Sequence, residues 1–221
     1  METKKTFSTE IEKLKSLHGW QRLRYIWDYY KFPLAVLCIL IYIIGYIIYG
    51  QVTHKDTVLC TALINISAGE EFTSDLSSGY LDYLGKDSSR NEVELMTELY
   101  LTDNESDPNY EYTYASQVKI LASINSQQLD VILMNQEAFD ILSRNDYLCD
   151  LEDLLSDIAP GLYSQTADCI TENNKALDLS QALLIQQTGF SGTVYLGIVA
   201  NSERKDEATE YIKYLFNSDT E

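Results

Sequence analysis

The sequence predicts an α/β domain carried behind one membrane-spanning helix. Three observations support that expectation. No charged side chain occurs from Phe32 to Thr53. Beyond His54, short apolar and β-branched runs alternate with stretches whose apolar residues recur every three or four positions. The charge is also divided: residues 1–31 hold seven Lys and Arg against four Asp and Glu, whereas 54–221 hold nine against thirty.

The uncharged segment comes first. From Leu34 to Tyr49 it is almost wholly Leu, Ile, Val and Tyr. Positions 32–53 make a helix of about 33 Å at roughly 1.5 Å per residue, matching the hydrocarbon thickness of a bilayer. The Lys and Arg excess before it predicts a cytoplasmic N-terminus and an extracellular C-terminal domain. Tyr49-Gly-Gln-Val-Thr-His54 offers no small-x-small cleavage site, and Cys38 and Cys60 each follow Leu rather than a small residue. An uncleaved signal anchor in the cell membrane, crossing once, is therefore expected. The boundaries are 1–31 for a cytoplasmic juxtamembrane helix, 32–53 for the span and 54–221 for an extracytoplasmic domain.

Before the span, Thr9-x-x-Glu12 has the capping-box pattern. After Gly19, the residues Trp20, Leu23, Trp27 and Tyr30 fall in a narrow arc at 100° per residue, with Arg22, Arg24 and Lys31 on the remaining face. This amphipathic pattern predicts a helix lying at the membrane surface, with Trp20, Trp27, Tyr30 and Lys31 as interface residues and the lipid bilayer as partner.

Within the domain, Thr57–Ile64 reads as a buried strand, and Phe72, Leu76, Tyr80, Tyr83 and Leu84 mark a helix closed by Gly85. Glu92–Leu99 alternates as a half-exposed strand, and Asp103–Pro108 is a polar loop. Tyr114, Val118, Leu121 and Ile124 mark a longer helix before a strand at Leu129–Met134. A helix through Ala138–Leu142 and a short turn or helix at Asp150–Leu155 follow. Residues 158–174 carry no readable period. Strands are expected at Ala176–Leu179, Leu183–Gln186 and Thr193–Ala200, then a helix near Ser202–Phe216 with Ala208, Tyr211, Ile212 and Leu215 inward. Alternating strands and helices imply βαβ units in one three-layer α/β domain.

Several functions lose their basis in this composition. A domain with thirty acidic and nine basic residues repels phosphate backbones, so no nucleic-acid partner is expected. Its single histidine, His54, lies at the membrane edge, far from where a Ser/His or Cys/His site needs its base. No zinc-ligand spacing, GxGxxG or P-loop occurs, so no metal and no cofactor is expected. Asp103, Glu105, Asp107 and Asn109 alternate as calcium ligands do, but Pro108 occupies the position where a calcium loop needs Gly. A bridge between Cys149 and Cys169 would contribute about 3 kcal/mol; free, mostly buried thiols are the simpler reading.

Three segments resemble the extracellular solute-binding proteins of bacterial ABC importers, of a Firmicutes-like kind. Tyr114–Met134 is similar to that family's helix running into a strand ending Asp-Val-Ile, here Asp130-Val131-Ile132. Glu137–Leu155 resembles a segment where a helix ends and Leu-x-Asp-Leu follows, and Tyr195–Leu215 resembles a strand-to-helix segment. The resemblance implies one periplasmic-binding-protein-like lobe. A second lobe would need roughly 100 residues, and only about 40 separate Leu155 from Tyr195.

The leading expectation is a non-enzymatic, extracytoplasmic interaction domain serving a membrane assembly through a membrane-protein partner. The alternative is a sensor or accessory protein binding a sugar, amino acid or peptide at the strand ends, near Asn135 and Asn201. A carboxylate-dependent hydrolase is the third reading; no pair of carboxylates stands out for it.

Overall fold

A computed structural model of the protein describes residues 20–188 and 192–216, without the side chains of 20–30, 34, 51–53 and 188. The chain divides at His54 and Lys55 into two compact units.

In the first unit, helix α1 runs without interruption from Trp20 to Thr53 and includes Pro33. Its window Lys31–Gly50 has a mean hydropathy of 2.4, and none of it is buried. The core helix of a soluble protein would bury such a surface. The helix is long and apolar enough to cross a bilayer once and is compatible with a single-pass membrane protein. The capping pattern at Thr9–Glu12 and the side chains of Trp20, Trp27 and Tyr30 lie outside the described residues; Lys31 is exposed.

The second unit is mixed α/β. Its elements run β1 (Asp56–Ile64), α2 (Glu70–Ser74), a π-helical turn (Asp75–Gly79), α3 (Tyr80–Tyr83), β2 (Asn91–Leu99), α4 (Tyr110–Asn125), β3 (Val131–Met134) and α5 (Gln136–Arg144). Then follow α6 (Leu151–Ile158), α7 (Pro160–Thr166), β4 (Leu177–Asp178), α8 (Leu183–Thr188), β5 (Tyr195–Ile198) and α9 (Lys205–Phe216). The five strands form one sheet in the order β2-β1-β3-β5-β4. β1 pairs in parallel with β2 and β3, whereas β5 runs antiparallel to β3 and β4.

The sheet is buried on both faces, which explains why β1 and β3 read as continuous apolar runs. Leu59, Leu63, Val131, Leu133, Leu196 and Ile198 face one core, shared with α2, α3, α6, α7, α8 and α9. Cys60, Ala62, Ile64, Ile132, Met134 and Val199 face a second core, shared with α4 and α5. The period of two sorts neighbouring residues of each strand into opposite cores.

Three phenols fasten α9 to the α2–α3 region. Tyr211 donates to the Leu76 carbonyl at 3.0 Å, Tyr80 to that of Glu207 at 2.9 Å and Tyr214 to that of Asp75 at 2.9 Å. The Tyr80 and Tyr211 rings meet edge to face at 4.7 Å. Burial pushes the Tyr214 hydroxyl up to about 12, with Asp75 and Asp82 adding to the shift.

Three expectations need correction. Leu183–Gln186 is the body of α8 and not a strand: Leu184 and Ile185 pack into the core while Leu183 stays exposed. A short apolar run alone cannot distinguish the two conformations. In α4 the buried stripe is Ser116, Ile120 and Ile124, while Tyr114 and Val118 are exposed. One helix over an open sheet buries only the stripe it presents to the strands. β2 buries Val93, Met96 and Leu99, every third residue: Val93 faces the first core and Met96 the second, while the extra residue between Met96 and Leu99 comes from a bulge in the pairing with β1. Residues 158–174, for which no element is expected, hold α7 and a 3₁₀ turn at Ala167–Cys169. All four cysteines are free.

Candidate functional site

The carboxyl ends of β1, β2 and β3 lie side by side, and Asn65 joins them. It follows β1 directly, in the left-handed region at φ 58°, which Asn adopts more readily than most side chains. Its side-chain amide donates to the Leu101 carbonyl at 2.6 Å and its side-chain oxygen accepts from the Leu101 N–H at 2.9 Å. It also donates to Asn135 Oδ1 at 3.2 Å. The same Asn135 oxygen accepts from the Ala138 N–H at 3.0 Å, capping α5. The chain reverses its direction of travel across the sheet between β1 and β3, where open α/β sheets commonly hold ligands. Here that crevice is closed by the two asparagines. Beside it, Thr102 donates to Glu137, and Arg144 pairs with Asp103 at 2.5 Å.

The open space lies one strand over. A cavity of about 590 Å³ sits beyond the ends of β1 and β2, within the range of small-molecule sites. Asn65, Ser67, Glu98, Tyr112, Ser116 and Lys119 contribute to its walls. Ser116 is fixed by accepting from the Tyr100 N–H at 2.9 Å. Glu98 owes its position to a bulge: between the pairs Ala62–Met96 and Ile64–Leu99, the two residues Thr97 and Glu98 face the single Leu63. Glu98 consequently has φ 59°, and it and Thr97 are both exposed, so the bulge leaves Glu98 out of the core and among the residues lining the cavity.

Asn201 lies at the other end of the sheet. Because Met134 pairs with Tyr195 and Val131 with Ile198, the chain leaves β5 beside the start of β3. There Asn201 donates to the Ile124 carbonyl at 2.8 Å. The structure thus separates Asn135 and Asn201 by the length of the sheet, and one small ligand cannot meet both. Asp130 dominates that lower end. Fully buried, it accepts from the Cys60 N–H at 2.8 Å, Ser202 Oγ at 2.7 Å and Arg204 Nε at 2.8 Å. Every oxygen of the carboxylate is used internally, which makes the group a clamp between strands.

The remaining candidate groups are also engaged by the chain itself. In the acidic loop, Asp107 accepts from the Tyr100 hydroxyl at 2.9 Å and from the Asn109 N–H at 2.7 Å. Burial raises the Cys60 thiol to about 12 and the Cys149 thiol to about 11, so neither is a nucleophile at neutral pH. No group of three or more His, Cys, Asp or Glu suited to a metal occurs among the described residues.

Asn65, Glu98 and Lys119 had no signal in the periodicity. The one legible hint was Asn closing an apolar strand, a residue type that tolerates left-handed backbone. No protein-family model matches this chain. No curated protein matches it either.

Proposed function

We propose that the protein is a membrane-tethered, extracytoplasmic and non-enzymatic interaction domain that serves a membrane assembly. The observation carrying this reading is the wholly exposed apolar window Lys31–Gly50 joined to an acidic domain. The basic flank orients that domain outward, and its charge keeps it in solution rather than on an anionic lipid surface. The likeness of three segments to solute-binding proteins fits a single lobe freed from its clamp. The closed crevice at Asn65 and Asn135 supports a domain that no longer grips its ligand between strand ends.

Crosslinking in intact cells tests this. The full chain is compared with a variant whose residues 32–50 are replaced by a polyleucine helix of equal length. A stoichiometric membrane partner captured by both places recognition in the domain, and one captured only by the native chain places it in the span. Capture of no partner by either sinks the proposal, as does protection of the domain from external protease in intact cells.

The cavity favours a second reading, a sensor of small molecules. It offers a preformed, polar-lined space outside the carboxyl ends of parallel strands, in a region where ligands bind other α/β sheets.

A further inference from the structure

We infer that the cavity beyond β1 and β2 binds a small zwitterion of the free α-amino-acid class, its ammonium group at Glu98 and its carboxylate at Lys119. This deepens the small-molecule reading of the cavity and does not depend on a membrane partner.

The charges on the walls point to that class. Among the lining residues Glu98 is the one acidic group and Lys119 the one basic group. They make no ion pair with each other; the three ion pairs among the described residues all lie elsewhere. An acidic and a basic group that line one cavity without pairing with each other complement a ligand with both charges, and attract an anion or a cation alone less well. Asn65 and Ser116 bring polar groups between the two charges, and the exposed Tyr112 ring offers a flat apolar surface to a ligand side chain.

A second observation is independent of the charges. Glu98 is not glycine, yet it sits in the left-handed region at φ 59°. The bulge imposes this conformation, which Asn65, Gln127, Asp146 and Asn174 also adopt elsewhere in the fold; strained backbone is also used at ligand sites. Nothing in the packing demands Glu there, since the side chain is exposed and forms no hydrogen bond or ion pair among the described residues. Glycine would relieve the strain, at the cost of the carboxylate facing the cavity.

Calorimetric titration of the full chain in nanodiscs, with each proteinogenic L-amino acid at millimolar concentration and with glucose, is the test. Saturable binding of at least one amino acid is expected. Its N-acetyl derivative and its carboxamide should each bind at least about tenfold more weakly, because each loses one charge-assisted contact. Glu98→Gln and Lys119→Met should weaken the parent amino acid to a similar degree. Glu98→Gln should leave the N-acetyl derivative unaffected, a selectivity that a folding defect would not produce. Binding of both derivatives as tight as that of the parent amino acid, or unchanged binding by both variants, overturns the inference. Binding of glucose without any amino acid overturns it while the small-molecule reading stands; binding of neither removes both.

Discussion

Arg204 Nε donates to the buried Asp130 Oδ2 at 2.8 Å, and through this bond the start of α9 is fastened to the first residue before β3. Arg204 Nη2 extends the grip to the Gln128 carbonyl at 2.8 Å, while Asp130 also takes the Cys60 N–H from β1. One carboxylate thus holds three segments that meet only in the folded state. Asp130→Ala should cost about 3–5 kcal/mol, because it leaves several buried donors without an acceptor. Arg204→Met should cost less, since Arg204 is partly in water. Chemical denaturation of the purified protein measures both, and a loss under about 1 kcal/mol for Asp130→Ala would refute the clamp.

Gly79 is required by its neighbour. A methyl group there would stand 2.5 Å from the Tyr214 hydroxyl, which itself donates to Asp75. Gly79→Ala should destabilise by about 1–3 kcal/mol through overpacking. Adding Tyr214→Phe, which removes the crowded oxygen, should make the double variant more stable than the sum of the single effects. Strict additivity in that double-mutant cycle would count against the contact.

Glu98→Gly should raise stability by about 1 kcal/mol, the approximate cost of a non-glycine residue in the left-handed region. A shift of the melting temperature upward is the expected readout, and a downward shift would mean that Glu98 holds the bulge itself.

Alkaline pH should weaken the fold. The Cys60 thiol rises from 9.0 to about 12, first because burial disfavours the thiolate and then because of Glu94 and Asp130. Above pH 9 the unfolded chain releases this proton while the folded chain keeps it. Stability is therefore intact below that pH and falls by about 1.4 kcal/mol per pH unit for such a group until the folded value is reached. Tyr214, raised from 10.0 to about 12, adds a second loss beginning near pH 10. In denaturation curves between pH 8 and 11, the advantage of the native chain over Cys60→Ala should shrink. An advantage that stays constant would contradict the burial argument.

Some of this architecture is local in origin and was legible in the chain. The helix long and apolar enough to cross a bilayer is set by composition alone, an uncharged run of 22 residues from Phe32 to Thr53. β1 and α9 were equally clear: Thr57–Ile64 carries its burial in an unbroken apolar run, and Ala208, Tyr211, Ile212 and Leu215 mark one helix face. Asn135 caps α5 and Asp150 caps α6, each through a side-chain bond that closes within three residues. Residues 183–186 carried an apolar pattern that fits strand and helix alike, and packing against α9 accompanies the helical outcome.

What the sequence by itself determined, then, is the long apolar helix, the α/β class and most element positions, because each rests on interactions between residues a few positions apart. Only the tertiary structure decided that β5 runs antiparallel, that Asn135 and Asn201 part to opposite ends of the sheet, and that Glu98 and Lys119 share a cavity. Asp130 and its partner Arg204 are 74 residues apart. Such relationships depend on sheet order and on bulges in strand pairing, and no local period records either.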